Sequence, residues 1–431
     1  MSSTRKDENF QERRRLEALG RDALLSHQLS AVNKLLETIL PASSFYKEKL
    51  TGIQRPIDSL DEFRKLPLTT KAELQANSEE PGFAANRTYP LDRYSRFHRT
   101  SGTHGRPMIV VDTQEDWQKW IETWQYVLDA AHVTSQDRVL MAFSFGPFIG
   151  FWSANDALIA RGAMVIPAGG LSTVSRLGLI NDSGATAICC TPSYALHMAE
   201  VAREHDVDIA RSTVSRIIVA GEPGGSIPSI RKRIENTWDA RVVDHSGATE
   251  IGPWGYADTD DTGLHIAESD YLPEFLSIES GSPAKDGELS ELVITSLTRF
   301  GCPVIRYRTG DLVKPDRSGR GENNFAFLPG GVLGRADDML VIRGVNIFPS
   351  AIEQILCEFD DVQEYRITAS KNGEMDALTV EVEDAKDDPK RIADALNVRL
   401  GLNIEVRSVP NNSLPRFEAK GKRFVDERRI G

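Results

Sequence analysis

The chain has 431 residues, of which 40% are hydrophobic and 26% charged, and its formal net charge is −12. This is the composition of a folded globular protein too long for one ordinary core, so two or three units, or one large α/β unit with a small one, are expected. The acidic balance argues against nucleic acid or an anionic membrane as the main partner, since both attract basic surface, although a nucleotide can still be held locally by backbone N–H groups, a few cations and Mg2+.

The opening MSSTRKDENFQERRRLEALG is charged and lacks the apolar run of a secretory leader. Residues 10–50 carry Leu16, Leu19, Leu24, Leu35, Leu36, Ile39 and Leu40 at helical spacing and read as about two helices; S-S-F-Y (43–46) begins another. R-T-S-G-T-H-G-R-P (99–107) is either a phosphate cradle or a polar turn between strands. Glycine would let N–H groups converge on phosphate oxygens, and Thr100, Ser101 and Thr103 would add hydroxyls and Arg106 charge. In QEDWQKWIETWQYVLDAA (114–131), Trp117, Trp120 and Trp124 fall on one helical stripe, a pattern of core packing rather than a ligand box. VLMAFSFGPFIGFW (139–152) is too short to span a bilayer and is broken by Gly and Pro.

From 137 to 250, DRVLMAF, GAMVIPA, TAICCTP, SRIIVAG and ARVVDHSG read as strands. They alternate with the helical NDALIAR, VSRLGLIND, YALHMAEVAREHD and IPSIRKRIENTW. Such alternation implies βαβ units, a mainly parallel sheet, and ligands beyond the carboxyl ends of its strands. From about 255 the texture changes, and LHIAE, EFLSIE and SELVITSLT read as antiparallel sheet or a small barrel. From about 335, DMLVIRGVNIFP, AIEQILCEF, VQEYRITA, DALTVEVED, PKRIADALNVRLG and NIEVRSVP give a β-α-β-β-α-β series, a small α+β unit joined at G-R-A-D-D (334–338) by a compact hinge. Cys189, Cys190, Cys302 and Cys357 form no C-x₂-C pair; they read as reduced core residues of a cytoplasmic protein.

The chain lacks G-x-x-x-x-G-K-[ST], a strand-linked G-x-G-x-x-G, H-E-x-x-H and G-x-S-x-G, so P-loop, dinucleotide, zincin and serine-hydrolase readings lose support. What remains are separated stretches: residues 99–107, V-A-G-E-P-G (219–224), D-H-S-G-A-T-E (244–250), Y-R-T-G-D (307–311) with G-R-A-D-D, and L-P-R-F-E-A-K-G-K-R (414–423). Each alone has a plain reading as turn, solvated loop acid or basic surface tail. Glu250 follows a strand and a Gly-containing turn, where a carboxylate could hold Mg2+; Asp311 follows T-G and could accept two ribose hydroxyls.

Together, in this order, and with T-P-S-Y-A-L (191–196), I-R-Y-R-T-G-D-L (305–312) and G-R-A-D-D-M-L-V-I-R-G-V-N-I-F-P (334–349), they resemble the adenylate-forming superfamily of acyl-CoA synthetases, most closely its phenylacetate–CoA ligase branch. The resemblance covers the chain from about residue 30 onward. It implies an α/β fold: a large N-terminal domain, 1–334, of parallel and mixed sheets with helices and a small β subdomain, and a small α+β C-terminal domain, 335–431, that rotates between two half-reactions. In the first, ATP and a carboxylic acid give an acyl-adenylate and pyrophosphate; in the second, CoA displaces AMP.

Carried over by position, the resemblance implies that Ser101, Gly102, Thr103, His104, Gly105 and Arg106, with Thr100, cradle the phosphates. Glu222 and Pro223 would border the adenine, with Asp244, His245 and Ser246 on the strand end opposite. Thr249 and Glu250 would serve the α-phosphate and Mg2+, Asp311 and Arg335 the ribose. Asp337 would be the hinge and Gly344 part of the CoA tunnel. Phe145, Gly146, Phe148, Ile149, Ala220, Gly247 and Pro253 would line the acid pocket and suit an aryl or arylalkyl acid, although F-S-F-G-P-F-I-G-F-W can equally be core. Lys420 is the expected catalytic lysine, with Lys422 the alternative. Ser246 stands where the branch usually has an adenine-stacking aromatic and His104 where it usually has threonine. The cysteine-rich metal site of a relative has no counterpart beside G-L-H-I (263–266), so no structural zinc is expected. Three functions remain open at this point: an aryl-acid–CoA ligase, an adenylating enzyme with another acceptor (amine, nitrite, hydroxyl or carrier thiol), and a non-catalytic nucleotide or acyl-CoA sensor. Assembly as a homodimer is the remaining expectation.

Overall fold

The computed structural model describes residues 9–76, 80–100, 107–143, 145–147, 149–258, 263–336, 340–342, 345–372, 375–415 and 423–429. Helices α1 (Phe10–Glu17), α2 (Arg21–Ile39), α3 (Ser44–Lys49), α4 (Leu60–Phe63) and α5 (Lys71–Ala76) open the chain. Helix α2 buries Leu24, Val32, Leu35, Leu36 and Ile39, and Ser43 caps α3 by accepting the Tyr46 N–H, where S-S-F-Y predicts a start. Strands β1 (Arg96–Arg99) and β2 (Ile109–Asp112) then pair antiparallel, so residues 99–107 join the two arms of a hairpin. A capping box between Thr113 and Asp116 starts α6 (Gln114–Ala130), whose Trp117, Trp120 and Trp124 are all buried, as their stripe predicts.

Strand and helix alternate next: β3 (Arg138–Met141), α7 (Ile149–Arg161), β4 (Met164–Pro167), α8 (Thr173–Ser183), β5 (Ala187–Cys190), α9 (Pro192–Glu204), β6 (Arg216–Val219), α10 (Pro228–Trp238) and β7 (Arg241–Ala248). Their order in the sheet is β7-β6-β5-β3-β4, all parallel. The chain leaves β3 for the edge strand β4 and returns to β5 on the other side of β3. The switch point therefore lies at the carboxyl end of β3, where residues 142–148 emerge. Val139, Met141, Ala187 and Cys189 face one core; Leu140, Ile188 and Cys190 face the other. All four cysteines are buried and unbridged.

Beyond β7 the pairing becomes antiparallel, through β8 (Gly252–Ala257) and β9 (Gly263–Ile266). Strands β10 (Tyr271–Ser277), β11 (Ser290–Ser296) and β12 (Tyr307–Val313) begin a second antiparallel sheet. Strand β13 (Phe327–Pro329) returns to the edge of the first, making it eight-stranded, and β14 (Gly334–Arg335) completes the second with four. The change of texture near 255 is thus real, but LHIAE extends the main sheet while EFLSIE and SELVITSLT build the other.

The last unit departs from the expected series. Among the described residues of 338–349 none joins its four-stranded sheet; β15 (Leu340–Ile342) and β16 (Val345–Ile347) pair antiparallel as a separate two-stranded sheet. After α11 (Pro349–Leu356), β17 (Val362–Asn372), β18 (Met375–Asp384), α12 (Pro389–Leu400) and β19 (Glu405–Ser408), the sheet is completed by β20 (Phe424–Asp426), parallel to β17, giving the order β19-β18-β17-β20. Three residues beside a basic tail carry too short a pattern to be read as a strand. This unit packs on α10: Ser229 Oγ donates to the Gln354 carbonyl at 3.1 Å and Arg233 to that of Val362 at 3.2 Å. No helix among the described residues is long and apolar enough to cross a membrane.

Candidate active site

The turn joining β7 to β8 carries Thr249 and Glu250, both half-buried. Glu250 Oε1 accepts the Tyr307 hydroxyl at 2.9 Å and lies 3.4 Å from Lys71 Nζ. Burial pushes the Tyr307 phenol well above its ordinary pKa, and the Glu250 charge pushes it further. Arg335 pulls the other way, and Asp311 adds to the rise. Glu250, Asp311 and Arg335 therefore share one electrostatic neighbourhood around Tyr307. Asp311 and Arg335 are register partners on β12 and β14, 3.1 Å apart. Gly310 between them and Tyr307 has φ +76, and a Cβ there would meet Arg335 Nη2 at 2.8 Å, so the T-G-D turn needs its glycine.

Glu250 is a single carboxylate, and among the described residues no three His, Cys, Asp or Glu gather as a metal cage. That donor set suits Mg2+, which keeps waters and phosphate oxygens and takes one or two protein carboxylates.

A second cluster forms at the carboxyl ends of β5 and β6. Glu222 Oε1 accepts the Ser193 N–H at 2.8 Å in the first turn of α9, which Thr191 caps, so A-G-E-P and T-P-S-Y-A-L meet in space. A Cβ on Gly224 would lie 2.5 Å from that of Pro192, and one on Gly225 would lie 2.5 Å from Asp244 Cγ. This close packing presents Glu222 and Pro223 at the surface. Asp244 is buried, with Oδ2 taken by the Ser226 hydroxyl and Oδ1 by the His245 N–H at 3.0 Å. Burial raises its pKa to about 6. The His245 ring packs on Trp124 with centroids 4.2 Å apart, and Nδ1 lies 2.7 Å from the Gly255 carbonyl oxygen.

At the β1–β2 hairpin, Thr100 Oγ1 accepts the Met108 N–H at 2.9 Å and the Thr100 N–H reaches the Met108 carbonyl at 2.9 Å. Thr100 is buried and closes the base of the loop. Residues 101–106 lie outside the described residues. Sequence reading misses what ties this hairpin to the Glu250 turn: Arg299, 1% exposed, holds Asp112 Oδ1 on β2 at 2.8 and 2.7 Å and the Glu250 carbonyl at 2.7 Å. Lys71 and Tyr307 are missed as well, because each acquires a role only through a contact distant in sequence.

Of the residues expected to line an acid pocket, Phe145 meets Trp152 edge-on at 4.9 Å, and the Gly146 carbonyl accepts the Trp152 indole N–H at 2.9 Å. Ile149 is buried against Trp117 and Trp120. Gly247 and Pro253 face each other across the β7–β8 hairpin, a Cβ on Gly247 lying 3.3 Å from Pro253 Cα, and Ala220 is half-buried at the end of β6. Helix α6 links these groups, since Trp124 also donates to Ser153 of α7 at 2.9 Å. Phe148, Asp337, Gly344, Lys420 and Lys422 lie outside the described residues. Arg423 is bound to Glu364 of β17, with Nη2 2.9 Å from Oε2, and the Glu222 charge acts on it.

The AMP-binding enzyme family model matches residues 55–294, and the AMP-binding enzyme C-terminal domain matches 344–428. Among curated proteins, the chain is 32% identical to the phenylacetate-coenzyme A ligase of Escherichia coli (strain K12), covering 86% of each chain, and 30% identical to that of Pseudomonas putida, covering 96% of each. Among solved structures, the fold matches 2-hydroxyisobutyryl-CoA ligase in its postadenylation state with TM-score 0.91 at 23% identity, covering 100% of this chain and 96% of that one. The same ligase in its thioesterification state gives 0.73 at 24% identity, with the same coverage. With a Glu250 turn and a glycine-packed A-G-E-P loop on the main sheet, a T-G-D strand on the second sheet, and family models on both units, the chain belongs to the AMP-binding enzyme family.

Proposed function

We propose that this chain is an ATP-dependent acyl-CoA ligase of the phenylacetate–CoA ligase type, acting on an aryl or arylalkyl acid in the cytoplasm. Residues 1–334 would bind ATP and the acid, and 335–431 would swing between half-reactions. In the first, a carboxylate oxygen bonds to the α-phosphorus as the bond to pyrophosphate breaks. In the second, the CoA sulfur bonds to the acyl carbon as AMP leaves and the thiol proton passes to solvent.

The observation that carries this reading is the neighbourhood of Glu250, Asp311 and Arg335 around Tyr307. It supports a reading in which Glu250 is the metal-type carboxylate and Asp311 the diol-type carboxylate for one nucleotide. Asp311, steadied by Arg335, is suited to accept the ribose hydroxyls. Glu222 and Pro223 border the base, and Thr249 donates to the α-phosphate. Mg2+ on the triphosphate, held by Glu250, would supply charge neutralisation. The 101–106 loop supplies N–H and hydroxyl donors to the phosphates. Gly146 and Gly247 let the acid approach the backbone, with Phe145, Phe148, Ile149, Ala220 and Pro253 around it.

Lys420 stands three residues before Arg423, a span of about 11 Å at most. The Glu222 charge acts on Arg423, which supports a role for Lys420 beside the nucleotide. There the Lys420 ammonium stabilises charge developing between carboxylate and phosphate, and Asp337 and Gly344 serve the hinge and the CoA tunnel after rotation.

The test is acid-dependent ATP–pyrophosphate exchange over a panel of aromatic and aliphatic acids, followed by mass spectrometry for a thioester when CoA is added. Exchange without a thioester reassigns the acceptor; no exchange with any acid refutes the reading. Light scattering of the same preparation checks for a homodimer.

A further inference from the structure

The expected acid end of the site contains a polar acceptor on His245 that the described residues do not use. His245 is 7% exposed. Its Nδ1 lies 2.7 Å from the Gly255 carbonyl oxygen; a carbonyl oxygen only accepts, so Nδ1 carries the proton. A neutral ring then presents Nε2 as a bare acceptor. The neighbouring indole does not satisfy it, because Trp124 Nε1–H is given to Ser153. Among the described residues Nε2 has no hydrogen-bond partner, yet it is not one of the sealed, unpartnered atoms such as His98 Nδ1.

Side chains alternate along β7, so Val243, His245 and Gly247 share the face toward α6 and α7. Gly247 is exposed, and the position of its absent Cβ is 3.4 Å from His245 Nε2. The imidazole therefore points along the strand toward its carboxyl end, past a residue with no side chain to cover it. Thr249 and Glu250 lie at that end. Burial holds the imidazole pKa down at about 4, which keeps the ring uncharged around neutrality. Asp244, the nearest acid in sequence, is turned to the opposite face and bound to Ser226.

We propose that the acyl group this enzyme activates carries a hydrogen-bond donor, a hydroxyl foremost, received by His245 Nε2. This rests on the assignment of Gly247 and its neighbours to the acid. A buried acceptor left unpaired is costly, so acids that place hydrogen, halogen or an ether oxygen there are disfavoured and acids that place O–H or N–H there are selected.

The test uses the full chain and ATP–pyrophosphate exchange on matched acids: phenylacetate and benzoate, their ring-hydroxylated isomers, the methoxy counterparts, and a 2-hydroxy arylalkyl acid. One hydroxylated isomer is expected to exceed both its deoxy and methoxy counterparts by about 10- to 100-fold in kcat/KM. In His245→Leu that ratio falls toward one, whatever the overall rate, while His245→Gln, which keeps an acceptor oxygen, retains part of it. Equal or better use of acids without a donor by the unsubstituted enzyme overturns the proposal without needing a folded variant, as does a preference that survives His245→Leu. Exchange with no acid at all overturns the ligase assignment itself, a separate result.

Discussion

Replacing Arg299 tests whether the β1–β2 hairpin and the Glu250 turn act as one body. The guanidinium is 4.9 Å over Trp120, pairs with Asp112, which has no exposed surface, and donates to the Glu250 carbonyl. In Arg299→Met the Asp112 carboxylate loses its partner in the interior, a change that costs about 3–5 kcal/mol. Protonation caps the penalty: carrying a carboxyl from its ordinary 3.8 to neutrality at pH 7 costs about 4.4 kcal/mol, at 1.36 per unit. The orphaned Glu250 carbonyl adds about 1 kcal/mol. Against a typical stability of about 5–15 kcal/mol, the variant is close to unfolding at neutral pH. Burial already raises Asp112 to about 6 with Arg299 opposing the rise, so without Arg299 the carboxyl takes its proton more readily still. The deficit should therefore shrink on going from pH 7.5 to 5, read as the gap in urea midpoint between variant and wild type. Arg299→Lys keeps a charge but cannot reach both partners. It should fold, show weakened pyrophosphate exchange and need more Mg2+ for half-maximal rate. A pH-independent deficit in Arg299→Met, or an unchanged Mg2+ requirement in Arg299→Lys, refutes the reasoning.

Gly310→Ala puts a side chain at φ +76, at a cost of about 1–2 kcal/mol, and drives its Cβ into Arg335; KM for ATP should rise several-fold while KM for the acid stays put, by steady-state pyrophosphate release. Lys420→Ala should slow adenylation by about 10²–10³-fold, or 3–4 kcal/mol, and largely spare thioester formation from synthetic adenylate; if Lys422→Ala loses exchange instead, the role moves two residues. For His245, the folded pKa of about 4 lies below the ordinary 6.5, so the unfolded chain takes up the proton first and this term loses stability as pH falls through that window. His245→Gln removes the term, so its deficit in Tm against wild type should narrow from pH 7.5 to 5, and a gap that stays constant contradicts the assignment.

The parallel half of the molecule is legible in sequence because β3, β5 and β6 are covered on both faces, which writes them as short apolar runs between amphipathic helices. The pieces of the site that announce themselves are those whose backbones need special residues: the glycines at 224, 225 and 310, and the prolines that begin α9 and α10. Arg299, Tyr307 and Lys71 are silent for the opposite reason. Tyr307 meets Glu250 across 57 positions, and Arg299 meets Asp112 across 187. No local period or turn signal encodes such a pairing. For Asp244 and His245 the motif gives a place along the strand but not what the side chains are bound to, Ser226 for one and the Gly255 carbonyl for the other.

That distinction has a physical consequence for how separated loops make one rigid cleft. Thr100 is tied to Met108, Glu222 to the start of α9, Asp244 to Ser226, and the Glu250 turn to Arg299. Each bond fixes a loop through a polar atom before any ligand arrives. Holding donors and acceptors in place before substrate arrives removes that ordering cost from the reaction and lets oriented groups act at full strength. The cost is carried by folding, through buried carboxylates such as Asp112 and Asp244 whose pKa values rise to about 6. Acidification relieves those carboxylates while it strains His98 and His245, both held near 4. Because the folded-state gains of the two acids and the losses of the two imidazoles fall in the same interval, roughly pH 4 to 6.5, they oppose each other, and the scaffold stays balanced in a range where either pair alone would tilt it.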